Sequence, residues 1–102
     1  MRLFGEDVLR RACRKHPGLA ARLDEWAIVV YQSDWRSLAE VRRVYPSADG
    51  VKSRRGLIVT VFNVKGNTYR MLALINYAVQ ALEVLDVLTH AEYSKGAWKE
   101  KY

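Results

Sequence analysis

Cysteine occurs once in the 102 residues, at Cys13, so neither a disulfide framework nor a cysteine-rich zinc site holds this chain together. The two histidines, His16 and His90, stand far apart, with no cysteine pair or carboxylate cluster at ligand spacing beside either, and no metal site is expected. No apolar run approaches the roughly 18 residues that a membrane helix needs. Glu6, Asp7, Arg10 and Arg11 interrupt the N-terminus where a signal peptide would place its apolar stretch, so a cytoplasmic protein without a membrane partner is expected. A glycine-rich nucleotide loop and a G-x-S-x-G elbow are both missing, and Cys13 sits among the apolar residues of a helical pattern. Nucleophilic catalysis and nucleotide cofactors therefore have no support, and no cofactor is called for.

What the sequence has is apolar residues and positive charge. Half of it is apolar and 27% charged, enough to build the core of one domain and no more. Seventeen Lys and Arg against eleven Asp and Glu give a net charge of +6. The excess is concentrated in residues 1–56, at +5, and eleven of the basic residues are arginine, whose planar fork binds phosphate bidentately. Charge alone fits a solvated surface as well as it fits a polyanionic partner.

The hydrophobic period changes midway. Val8, Leu9, Ala12 and Cys13 share a face, predicting a helix over 6–16 with Arg10, Arg11, Arg14 and Lys15 outside, ended by His16-Pro17. Leu19, Leu23, Trp26 and Val30 mark a second helix. Ser37 and Glu40 have capping-box spacing before a third, which Pro46 and the run to Gly50 terminate. Residues 51–56 read as a basic connection, and Leu57 to Phe62 as a buried strand. Lys65-Gly66-Asn67 turns into an alternating strand from Tyr69, and a further strand runs over about 82–88. Thr89 and Glu92 form a second capping box, opening a short helix at His90 that stops near Gly96, with Trp98 folding back as an anchor. Met1 to Phe4 is a candidate edge strand. This order predicts an α+β domain: N-terminal helices on one face of a three- to four-stranded antiparallel sheet, the other face partly open, and a short C-terminal helix.

His90 and Tyr93, three apart at the start of that helix, combine a group that exchanges protons near neutral pH with one able to orient a phosphate or base. The same pair also fits a locally hydrogen-bonded histidine and a tyrosine packed on the sheet. Arg70 is the only charge in its strand, so it either pairs with Glu83 or Asp86 or opens onto an anion. Lys65, Asn63 and Asn67 fit turn residues as well as ligands. Lys52, Arg54 and Arg55 fit a phosphate-contacting loop or a solvated one. Metal-independent RNA cleavage needs a base for the 2′-hydroxyl, cations for the phosphate and an acid for the leaving 5′-oxygen, and His, Tyr, Arg and Lys supply all three.

The order His16-Pro17, Leu23, Trp26, Asp34-Trp35, Tyr45, Ala48-Asp49, then V-F-N-V-K-G-N-T-Y-R over 61–70 and T-H-A-E-Y over 89–93, resembles the HigB toxins of type II toxin–antitoxin systems, within the RelE superfamily. The resemblance spans Met1 to about Trp98. It implies a RelE-like fold and a ribosome-dependent mRNA interferase that enters the A site among ribosomal RNA. Such an enzyme cleaves the mRNA there, leaving a 2′,3′-cyclic phosphate and a 5′-hydroxyl. It also implies a HigA-like antitoxin with a helix-turn-helix domain. Arg70, His90 and Tyr93 match the family's basic strand residue and terminal histidine and tyrosine; Lys65 and Asn67 match its hairpin turn. In this reading Arg70 stabilises the transition-state phosphate, His90 moves a proton, Tyr93 orients the nucleotide and Lys65 adds charge. The first helix and Lys52, Arg54 and Arg55 hold RNA, together with Asn63 and Asn67. Two other functions fit a similar fold: ParE-like poisoning of DNA gyrase without RNA cleavage, and a catalytically silent RNA-binding module.

Overall fold

A computed structural model describes residues 1–102. Strand β1 (Arg2–Phe4) leads into α1 (Glu6–Lys15), and a 3-10 turn at Pro17–Leu19 into α2 (Ala20–Gln32). Helix α3 (Leu38–Val44) precedes β2 (Asp49–Lys52), β3 (Ile58–Val64), β4 (Tyr69–Asn76) and β5 (Ala81–Thr89). Two short helices, α4 (His90–Lys95) and α5 (Trp98–Lys101), end the chain. No helix is long and apolar enough to cross a membrane.

The sheet has five strands in the order β1-β5-β4-β3-β2, one or two more than expected, and is antiparallel except that β1 runs parallel to β5. Strand β2 accounts for part of the excess. Asp49-Gly50-Val51-Lys52 has one β-branched residue and little strand propensity, but it pairs with Val61 to Ile58 along the edge of β3. Tertiary pairing, invisible in local composition, makes it a strand. Between Leu72 and Ala73 of β4, β5 carries one extra residue, Leu85. The bulge shifts the side-chain alternation by one, so that Leu82 and Val84 before it and Val87 after it all face the helices.

The main core lies between the sheet's inner face and α1–α3. Leu19, Leu23, Trp26 and Val30, the stripe on and before α2, are all buried, and Trp26 and Tyr45 each meet Phe62 edge-on with ring centroids 5.5 Å apart. Gly5 permits the close turn from β1 into α1: its φ is +86°, and a Cβ there would lie 2.5 Å from the Val84 carbonyl oxygen. On the outer face Val59, Val61, Leu72 and Trp98 form a smaller cluster, joined by half-buried Tyr93 and Tyr102. Trp98 is thus the expected anchor. Burial is incomplete at the start of β3: Leu57 and Ile58, expected within a buried strand, stay exposed, Ile58 on the helix side near Leu38.

Candidate functional site

Two capping arrangements set the local frame. At α4 the expected box forms in full, with the Glu92 N–H donating to Thr89 Oγ1 (3.2 Å) and the Thr89 N–H to Glu92 Oε1 (2.9 Å). At α3 Ser37 Oγ accepts from the Glu40 N–H (3.3 Å), but the Glu40 carboxylate reaches one residue further back, to the Arg36 N–H (3.0 Å). The His90 N–H donates to the Thr68 carbonyl at 2.9 Å, tying the start of α4 to the β3–β4 turn. Sequence positions 65–70 and 89–93 are thereby joined at one end of the sheet.

Arg70 is the centre of this end. It is only 9% exposed, on the outer face of β4, opposite Asn63 on β3 and Leu88 on β5. Neither Glu83 nor Asp86 pairs with it. Register explains this: Glu83 lies opposite Leu74, near the other end of the strands, and Asp86 beside the bulge accepts from the Val87 N–H (2.8 Å). Arg70 instead donates from Nη1 to the carbonyls of Asn67 (3.1 Å) and Tyr69 (3.2 Å), and from Nη2 to Asn67 Oδ1. At least two of its five N–H groups stay unpaired. Its guanidinium carbon lies 5.6 Å from the centroid of the Tyr93 ring, a cation–π contact.

Tyr93 is fixed in turn by Trp98, whose ring stacks on it at 5.4 Å and whose indole N–H donates to the Tyr93 carbonyl (3.2 Å). Burial pushes the Tyr93 hydroxyl above its ordinary pKa of 10.0, the Asp49 carboxylate adds to that, and Arg70 opposes it. The hydroxyl is therefore a neutral hydrogen-bond donor across the physiological range. His90 is exposed one turn earlier. Glu92 is held below the usual carboxylate range by the hydrogen bond from the Thr89 backbone and, more weakly, by the Thr89 hydroxyl and the charges of Lys15 and His16.

The remaining predicted residues fall in different places. Asn67 belongs to the centre, as the acceptor that holds Arg70, and Asn63 is its neighbour across the strands. Lys65 has a left-handed backbone, with φ 54°, and lies on the helix side. There it lines a cleft of about 190 Å³ with Arg22, Glu25, Trp26 and Tyr45, and its Nζ would sit 3.2 Å from a Cβ on Gly18. Lys52 lies opposite Ile58 at the far end of β3, five residues or about 17 Å along the strand from Asn63 opposite Arg70, and Arg54 and Arg55 sit in the turn beyond it. Arg54 is occupied there, with Nη1 3.0 Å from Glu100 Oε2 and its backbone N–H donating to the Lys99 carbonyl. His16, read from sequence as a helix terminator and as part of the family resemblance but not as a site residue, stands at the site end with its ring centroid 4.8 Å from that of Tyr69. Its signal was faint, a lone histidine before proline.

The profile of the HigB toxin family, described as the RelE-like toxic component of a toxin-antitoxin system, matches residues 19–96. The chain belongs to the HigB toxin family. An antitoxin is accordingly its partner. Among curated HigB relatives, the mRNA interferase HigB of Escherichia coli O6:H1 is 30% identical over 93% of this chain and 90% of its own length. The mRNA interferase toxin HigB of E. coli K12 is 28% identical over 91% and 88%. The family match includes Arg70, His90 and Tyr93, but stops at residue 96, before Trp98, which stacks on Tyr93.

Proposed function

We propose that this HigB-family toxin is an endoribonuclease that cleaves messenger RNA on the ribosome, with its chemistry at the outer-face end of β4. The observation that carries this reading is the Arg70 centre: a nearly buried cation with no carboxylate within ion-pair distance, fixed by Asn67 and lying against Tyr93, on the helix that opens with the exposed His90. A buried charge without a counter-ion is costly unless an anion arrives to use it. A scissile phosphate is such an anion, and the names of the relatives point to RNA.

In the cleavage the 2′-oxygen attacks the adjacent phosphorus as its proton passes to a base, and the bond from phosphorus to the 5′-oxygen breaks as that oxygen takes a proton. The products are a 2′,3′-cyclic phosphate and a 5′-hydroxyl. His90 moves a proton, Arg70 stabilises the charge growing on the phosphate oxygens, and the neutral Tyr93 hydroxyl donates to the phosphate or nucleotide. Lys65, from the neighbouring cleft, adds positive potential at longer range. Asn63 and Asn67 line the approach, and the partner antitoxin is a HigA-like helix-turn-helix protein.

The test maps new messenger 5′-ends on ribosomes incubated with wild type, Arg70→Ala and His90→Gln. Cuts made by wild type and lost in both variants are expected. Equal cutting by all three overturns the assigned site, and growth arrest without new ends, or with loss of DNA supercoiling, overturns the nuclease reading.

A further inference from the structure

Strand β1 pairs with β5 only from Ala81 to Glu83, so the edge of β5 beyond it is left to α1. Between them lies a cleft of about 250 Å³, lined by Arg11, Lys15 and His16 on one side and Asp86 on the other, with Lys101 from α5 at its rim. The Arg11 guanidinium makes only a loose, exposed ion pair with Asp7 at 3.8 Å. Lys15 takes part in no ion pair, and Lys101 meets only the Tyr102 ring, 5.8 Å from its centroid. Asp86, the acid that lines the cleft itself, already accepts from a backbone N–H. Arg11, Lys15, Lys101 and the His16 imidazole thus line the cleft with one carboxylate, while Asp7 and Glu92 lie outside it near Arg11 and near Lys15 and His16. Arg11 and Lys15 stand one helical turn apart, where like charges repel until an anion lies between them.

The cleft leads to the catalytic end. His16 contacts Tyr69, Tyr69 pairs with Thr89, and Thr89 precedes His90. Lys15 and His16 are close enough to lower the pKa of Glu92 on α4. From Thr89 to Asp86 is three residues of strand, about 10 Å. All four positively ionisable groups lie outside residues 19–96, the part of the chain that the family profile matches.

We infer that this cleft is a phosphate-binding subsite for the cleaved RNA strand, holding its single-stranded backbone beyond the scissile nucleotide. The inference rests on the nuclease reading, but its test does not need cleavage. The probe is a fully 2′-O-methylated, uncleavable single-stranded oligoribonucleotide. Lys15→Gln/Lys101→Gln is expected to bind it about tenfold more weakly than wild type, with a salt slope shallower by about 1.4 for two lost phosphate contacts. Lys15→Arg/Lys101→Arg retains binding. Arg36→Gln/Arg43→Gln removes the same charge from exposed positions on and beside α3 and stays within about twofold of wild type. Equal weakening in the cleft and control pairs overturns the subsite, as does unchanged binding in the cleft pair. Weaker binding to empty ribosomes with unchanged oligonucleotide binding overturns it too, assigning the cleft to ribosomal RNA. Failure of wild type to cut ribosome-bound messenger, with oligonucleotide binding as expected, defeats the nuclease reading and leaves the subsite standing.

Discussion

Seventeen buried hydrophobic residues, from the helices and the strands together, fill the space between α1–α3 and the inner face of the sheet, whereas the outer-face cluster has only Val59, Val61, Leu72 and Trp98 buried, with Arg70 on the same face. The inner face holds the apolar area that stabilises the fold. The outer face holds a buried charge, stacked aromatics and an exposed histidine, and it is closed by a short C-terminal segment. The stabilising core and the proposed chemistry thus fall on opposite sides of the same strands, with alternate residues of β4 facing each: Met71 and Ala73 inward, Arg70 and Leu72 outward.

Substitutions on the two sides are expected to separate these roles. The largest effect belongs to Phe62→Ala, which removes the ring that Trp26 and Tyr45 pack against and lowers unfolding free energy by about 3–5 kcal/mol in urea titration. That is a large share of a domain's total, and a cost below about 1 kcal/mol would contradict the inner face as the seat of stability. Next comes Arg70→Lys, which keeps the charge but loses the planar fork. Single-turnover cleavage should fall about 100-fold while stability changes by only about 1 kcal/mol. Equal cleavage by this variant would place the chemistry elsewhere.

Thr89→Ala removes one half of the box at the start of α4 and should cost about 1 kcal/mol, with Thr89→Ser restoring it; thermal melting measures both. The smallest effect is pH-dependent. Because the Glu92 pKa is lowered by folding, its contribution is fully present above the ordinary value of 4.5 and is lost as pH falls through the lowered one. Acid titration of α4 should therefore show a shallow loss of order below that value in wild type. Glu92→Gln should not show it, and identical acid profiles would remove Glu92 from the account.

Much of the inner face was legible in the sequence, because helix periodicity is local: the Leu19, Leu23, Trp26, Val30 stripe falls where the spacing puts it, as does the Thr89 box, equally local, at the start of α4. The outer face was legible as a list of residues but not as an arrangement. Arg70 announced itself as the lone charge of its strand, yet its partners proved to be Asn67 and two carbonyls, which follow from turn geometry and register. Strand β2 was hidden for the same reason, since its pairing comes from β3 and not from its own composition. Lys65 shows the opposite error of proximity: five residues from Arg70 in sequence, it lies in a helix-side cleft because the hairpin turn carries it to the other side of the sheet. The mismatch falls at contacts between distant segments, which is also where the candidate site is built.

In the proposed site Asn67 holds Arg70 in place for the chemistry on the outer face. Single-turnover cleavage of ribosome-bound messenger by Asn67→Ala, read beside its thermal melt, tests this most directly. The rate is expected to fall at least about tenfold, with a stability loss of only about 1 kcal/mol and no change in ribosome affinity. An unchanged rate in a folded Asn67→Ala protein would contradict the assignment.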